Sequence, residues 1–172
     1  MTKFLGAFAA AAVTGSLAAP AVAADALPTV RASIVLRLQA AADRAFPMFD
    51  PVNETRWSPD WHPTLLGDGR VVAGLVFTTP DEHGRTAWLL DRYDPRAREI
   101  RYVITRPSTL TTIDIVVVPD GPRASVATVS YTRTALEAGA VDAVQAFARH
   151  FPTQGPHWES AINAALAAES PR

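Results

Sequence analysis

Four side chains offer chemistry that a small-molecule enzyme would need: Asp114, His62, Tyr131 and Arg92. Asp114 stands within TTIDIVVV, residues 111–118, the most β-branched run of the chain. A carboxylate buried there without a partner would be costly, and burial would push its pKa upward. Strict alternation offers the other reading, with Ile113 and Ile115 inward and Asp114 toward solvent. Turned inward, Asp114 could pair with Arg92, Arg133 or Tyr131 from neighbouring strands, a set able to orient or protonate a polar ligand head. His62, between Trp61 and Pro63, suits an acid/base or a hydrogen-bonding gate residue, or else an exposed loop. Glu54 reads as a cap, as a partner of nearby Arg56, or as the close of a helix end.

The other notable groups are aromatic. Trp57, Trp61, Trp88 and Trp158 are the largest apolar side chains, each worth ~2–3 kcal/mol if buried. They serve either as core or as the wall of a ligand cavity, with Trp57 and Trp88 the better candidates for a wall. Trp61, Phe77 and Tyr102 carry the same two readings. Metal chemistry finds no support, because His62, His83, His150 and His157 are dispersed and show no HExxH or paired spacing. A G-x-S-x-G elbow, a dinucleotide fingerprint and a phosphate loop are all missing from the sequence.

These residues have to be positioned by elements, and an apolar β-branched run at residues 27–38 reads as a first strand. Ala42, Phe46 and Phe49 then recur at helical spacing until Pro47 and Pro51 limit the run, predicting a short helix. A second short helix is expected from about Pro51 to Trp57, since proline fits a first helical turn. After Pro63, runs at 64–66, 70–79, 85–93, 99–106, 111–118 and 123–135 are separated by turn signals, predicting six more strands on short connections. Short connections imply an antiparallel meander. Val141, Val144, Ala148 and Phe151, then Trp158, Ile162 and Leu166, mark a final long helix interrupted between Pro152 and Pro156.

Totals bound the class. Residues 1–24 combine Lys3, an uncharged apolar run and a small-residue end, the pattern of a secretory signal peptide cleaved after Ala23 or Ala24. Its apolar run is shorter than the ~20 residues a membrane span needs, so no stable anchor is expected after cleavage and the protein is expected to be exported, periplasmic or secreted. Residues 25–172 form one expected domain. Cleavage takes one cation from 16 and no acid from 17, leaving a formal charge of −2. That balance argues against nucleic acid as a partner. The remaining cations are all arginine and cysteine is absent, which excludes lysine Schiff bases, thiol nucleophiles and disulfides from the mature chain.

The order strand, two short helices, six strands, long helix resembles the helix-grip fold of the START-like (SRPBCC) superfamily, in particular its polyketide cyclase/dehydrase-like and lipid-transfer group. The resemblance is carried by Phe46-Pro47-Met48-Phe49, Glu54-Thr55-Arg56-Trp57, Trp61-His62-Pro63, Gly74-Leu75-Val76-Phe77, the run from Trp88 to Asp94, the run from Val129 to Leu136, and Trp158-Glu159. It implies an α+β fold in which a seven-stranded antiparallel curved sheet wraps a long C-terminal helix and leaves a cavity for an apolar ligand, with residues 50–63 at its mouth or wall. The leading expectation is therefore a protein that holds a hydrophobic or amphipathic small molecule, such as a lipid or polyketide-like compound, without a redox or metal cofactor. A cofactor-independent cyclase or dehydratase using Asp114, His62, Tyr131 or Arg92 is the alternative, and it requires at least two of them to converge in one pocket. A third reading is an envelope interaction module that engages a partner through a strand edge or the Trp61–Pro63 rim. Ligand identity and oligomeric state are left open by the sequence.

Overall fold

Burial alternates residue by residue along β1 (Thr29–Leu38), with Ala32, Ile34, Leu36 and Leu38 turned inward, so this strand is covered on one face only. The computed structural model describes residues 26–82 and 84–169, and the expected signal peptide lies outside the described residues. The strands β2 (Thr64–Leu65), β3 (Val76–Asp81), β4 (Gly84–Asp94), β5 (Glu99–Thr105), β6 (Thr109–Pro119) and β7 (Ser125–Ala135) complete a seven-stranded sheet of order β1-β7-β6-β5-β4-β3-β2. Every pairing is antiparallel. The sheet curves around the C-terminal helical segment in a helix-grip α+β arrangement.

Between β1 and β2 the chain forms α1 (Ala42–Ala45) and two 3₁₀ turns, Phe46–Phe49 and Asn53–Arg56. The prolines explain the shortness: Pro47 and Pro51 each remove an amide that a longer α-helix would need. Phe46, Met48 and Phe49 are buried, so the first turn seals the sheet's inner face. Asp50, also buried, accepts the amides of Val52 and Asn53 at 2.9 and 2.8 Å and the Asn53 side-chain amide at 2.8 Å, which fixes the start of the second turn.

The second short helix expected over residues 51–57 is a 3₁₀ turn at Asn53–Arg56, and two details of the strands differ from the sequence expectation as well. The strand expected from residue 70 begins only at Val76, because Gly67, Gly69 and Gly74 all take positive φ (71°, 71° and 92°) and break the ladder. The loop is tied down at its ends, by Leu66 N–H to Val76 O at 3.0 Å and Gly74 N–H to Leu90 O at 2.8 Å. Secondly, a register shift between Leu90 and Arg92 of β4 leaves Asp91 unpaired. Without that bulge Arg92 would follow Leu90 inward; with it, Tyr93 turns in and meets Phe46 at 5.4 Å, while Arg92 turns out and bonds Glu99 at 2.7 Å.

The C-terminal segment runs through α2 (Val141–His150), a 3₁₀ turn at Phe151–Gln154 and α3 (Gly155–Ala168), so the interruption falls at the expected prolines. Val144, Phe151, Ile162 and Leu166 face the sheet. α3 starts close to β1: a Cβ built on the buried Gly155 would stand 3.6 Å from Ile34, an ordinary packing distance. Farther along, α3 covers the free edge of β1: Glu159 accepts the Arg37 amide at 2.7 Å, and Asn163 accepts the Gln39 amide at 2.7 Å and donates to Arg37 O at 2.9 Å. Polar groups that would otherwise template another strand are thereby occupied.

Candidate functional site

The second 3₁₀ turn decides what faces the interior. With three residues per turn, Glu54 and Trp57 lie one above the other, so the turn that buries the indole also aims the carboxyl inward. Beneath them is a cavity of about 230 Å³, lined by Phe49, Glu54, Trp57, Ser58, Trp61, Trp88, Tyr102, Ile113, Ile115, Val129, Tyr131 and Trp158. Three layers contribute: the 3₁₀ segment as roof, β4 to β7 as floor, and α3 as one side.

The aromatic walls are locked from behind. Trp57 donates its indole N–H to Met48 O at 2.6 Å, Trp61 to Pro51 O at 2.9 Å and Trp88 to Thr79 Oγ1 at 2.9 Å, while the Tyr102 hydroxyl donates to Phe49 O at 2.8 Å. Each polar handle therefore points away from the cavity and each ring presents π surface to it. Trp61 and Tyr102 stand at 85° and 89° to Trp88, with ring centroids 5.1 and 6.0 Å apart. Trp57 packs on Trp158 at 5.3 Å and closes the α3 side.

Glu54 is the acid of this lining. Among the described residues no side-chain hydrogen bond or ion pair reaches its carboxyl. Burial, and secondarily the nearby charge of Asp50, push its pKa up to about 8. Tyr131 is raised as well, by burial first and by Glu54 second. Tyr102 is held well above the usual phenol range by burial, with Glu54 and Asp50 adding to it. The site thus keeps a neutral carboxyl and neutral phenols near pH 7, able to donate or accept a proton inside an apolar chamber.

No family model matches this sequence, and no curated protein matches it either. Solved structures do. Norcoclaurine synthase from Thalictrum flavum, in complex with dopamine and hydroxybenzaldehyde, superposes with a TM-score of 0.63 at 19% identity, covering 86% of this chain and 91% of that one. A START superfamily protein from Mycobacterium smegmatis gives 0.57 at 14% identity, over 81% and 99% of the two chains. The fold is START-like. The di-domain ARO/CYC BexL gives 0.61 at 15% identity over 80% of this chain, which spans 46% of the length of BexL.

Within this START-like frame the aromatic candidates and the polar candidates separate. Trp57, Trp61, Trp88 and Tyr102 line the cavity. Phe77, fully buried, stacks behind Trp88 at 5.6 Å and 15° and supports that wall from outside the cavity. Of the four acid/base candidates, Tyr131 alone reaches the cavity. Asp114 lies on the outer face of β6 and bonds Arg101 at 2.6 Å, because β6 alternates strictly with Ile113 and Ile115 inward. Arg92 is outside through the β4 bulge. His62 is exposed at a surface hollow shared with Val52, Pro59 and Leu65. The cavity's acid, Glu54, was readable in sequence only as a cap or pairing residue; its three-residue spacing from Trp57 is the signal, and it acts only once the turn is known to be 3₁₀. Among the described residues no group of histidines and carboxylates could hold a metal ion.

Proposed function

We propose that this protein is an exported binding protein that holds a small, compact hydrophobic molecule in the aromatic cavity beneath residues 50–63. The observation that carries the reading is a 230 Å³ chamber walled by four tryptophans and two tyrosines with a single carboxyl among them. Its size sets the ligand class. A cavity of about 150 Å³ takes a benzene-sized guest, while drug-sized ligands occupy about 300–1,000 Å³. A ligand of one or two rings suits this space better than a whole lipid or a multi-ring polyketide. The test is titration of tryptophan fluorescence with one- and two-ring aromatics and with a long-chain fatty acid. Saturable quenching by the ring compounds is expected, and it should vanish in an Ile115→Trp variant that fills the chamber. No saturation by any compound up to millimolar concentration would refute the reading. Export is tested by sequencing the N-terminus of the protein recovered from the cell envelope, which should begin at residue 24 or 25.

A second reading, cofactor-independent acid/base catalysis on such a ligand, is favoured by one observation: the Glu54 carboxyl, with a pKa near 8, shares the chamber with Tyr131. Glu54 would then exchange a proton with the ligand and Tyr131 would orient it. Glu54→Gln separates the two, since binding without turnover is expected from a pure binding protein in both forms.

A further inference from the structure

The hydrogen-bonding inventory of the cavity is lopsided. Four of its donors, on Trp57, Trp61, Trp88 and Tyr102, are already committed to backbone or threonine oxygens. Among the described residues, no side-chain hydrogen bond occupies the Glu54 carboxyl, the hydroxyls of Ser58 and Tyr131, or the Trp158 indole, all of which line the cavity. The lining contains no arginine, lysine or histidine. A carboxylate or phosphate head would meet no cation there, and a wholly neutral hydrocarbon would leave the carboxyl without a partner.

From this geometry we infer that the natural ligand is an organic cation, a protonated amine or quaternary ammonium on a compact apolar body, held by the Glu54 carboxylate inside a box of aromatic rings. The inference rests on reading the cavity as a ligand site. Near-perpendicular rings of Trp61, Trp88 and Tyr102 give three walls of a cage, and Trp57 with Trp158 gives another. Such cages attract cations through the ring quadrupole, most strongly when water is excluded. Glu54 supplies the opposite charge once it ionises.

Among the described residues, the titratable groups that face Glu54 are Asp50 from its own segment, Tyr102 from β5 and Tyr131 from β7, and none of them is cationic. Arg133, farther along β7, bears on Tyr131. An entering cation therefore becomes the positive neighbour that Glu54 lacks, and it drives the carboxyl to release its proton. Binding should be coupled to proton release below pH 8 and should strengthen as pH rises toward that value.

The experiment compares benzyltrimethylammonium, its uncharged isostere neopentylbenzene and the anion phenylacetate, by fluorescence titration of the whole mature chain from pH 6 to 9. The cation is expected to bind at least tenfold tighter than the isostere at pH 8.5, with affinity rising through pH 7–8 while the isostere's stays flat. Glu54→Gln should abolish the pH dependence and sharply lower that ratio to the residual preference of the rings, leave the isostere's affinity within about twofold, and retain the wild-type circular dichroism spectrum. Equal or tighter binding of neopentylbenzene or phenylacetate would overturn the cation assignment and leave the binding function standing. Saturation by none of the three, together with failure of the ring compounds above, would overturn both.

Discussion

Two hollows lie one rung apart along the sheet, and they differ in size and in the chemistry of their linings. One is the aromatic chamber around Glu54. The other is a cleft of about 880 Å³ with three arginines, Arg85, Arg106 and Arg133, together with Asp81, Glu82 and Thr86 in its lining. The same strands build both. On β4, β6 and β7 the inward positions change from Trp88 to Thr86, from Ile113 to Thr111 and from Tyr131 to Arg133 within one step of alternation. Phe147 of α2 stands at the boundary, 5.2 Å from Tyr131 on one side and under the Arg133 guanidinium at 3.9 Å on the other. Because side chains two apart along a strand sit on the same face but in different rungs, one curved sheet presents an aromatic chamber and a polar cleft without any change of fold. In the cleft, two arginines rest on hydroxyls, Arg106 on Thr86 and Arg133 on Thr111, while Arg85 at the rim bonds Thr78 and Thr64 outside it. Water can serve those groups equally well, whereas the chamber depends on packing.

The sharpest way to break this contrast is to remove one large group from each end. Phe77→Ala empties a fully buried site behind Trp88, and a loss of about 3–5 kcal/mol is expected. Arg106→Gln, on an exposed residue of the cleft, should cost under about 1 kcal/mol. Urea unfolding of both variants measures the difference. Equal costs would mean that the cleft is as much a part of the core as the chamber.

A smaller effect comes from pH. Folding raises the Glu54 pKa from the ordinary 4.5 to about 8, so between those values the folded protein holds a proton that the unfolded chain has lost. Stability should therefore be highest below about pH 4.5 as far as this group is concerned, fall as pH rises toward 8, and level off above it. Since Glu54 is only half-buried, the total loss is held to at most a few kcal/mol by the solvent that reaches it. The urea midpoint of Glu54→Gln should lack this slope, and a wild-type midpoint flat from pH 5 to 8 would contradict the environment described for the chamber.

How much of this was visible in sequence follows from what sets each feature. The six-strand meander from β2 to β7 was legible because turn residues and alternation are local, and the broken C-terminal helix because Pro152 and Pro156 are; the pairing of β1 with β7 joins distant parts of the chain and no local signal announces it. The loop at 66–75 was not, since its glycine φ angles depend on how the chain reaches the edge strand. Which way Arg92 and Tyr93 point hangs on a single bulge at Asp91, and no residue type announces it. The chamber's acid was hidden for a similar reason. An α-helical reading of residues 51–57 gives Glu54 and Trp57 a 60° offset, while the 3₁₀ turn superimposes them.

The outer face supplies the mildest test. Asp114 and Arg101 form a hydrogen-bonded ion pair at 2.6 Å, about a third of each side chain exposed, on the side of the sheet away from the chamber. Such a pair contributes about 0–1 kcal/mol, because solvent screens it and two side chains must be held in one geometry. Asp114→Asn should accordingly lower stability by less than about 1 kcal/mol, and it should leave the affinity for the ring probes unchanged, since Ile113 and Ile115 keep their inward positions. Both quantities come from one protein preparation, by urea unfolding and by fluorescence titration. A variant that folds normally yet loses probe binding would show that the sheet transmits charge from its outer face to the chamber, and the separation between a functional interior and a solvated exterior would fail.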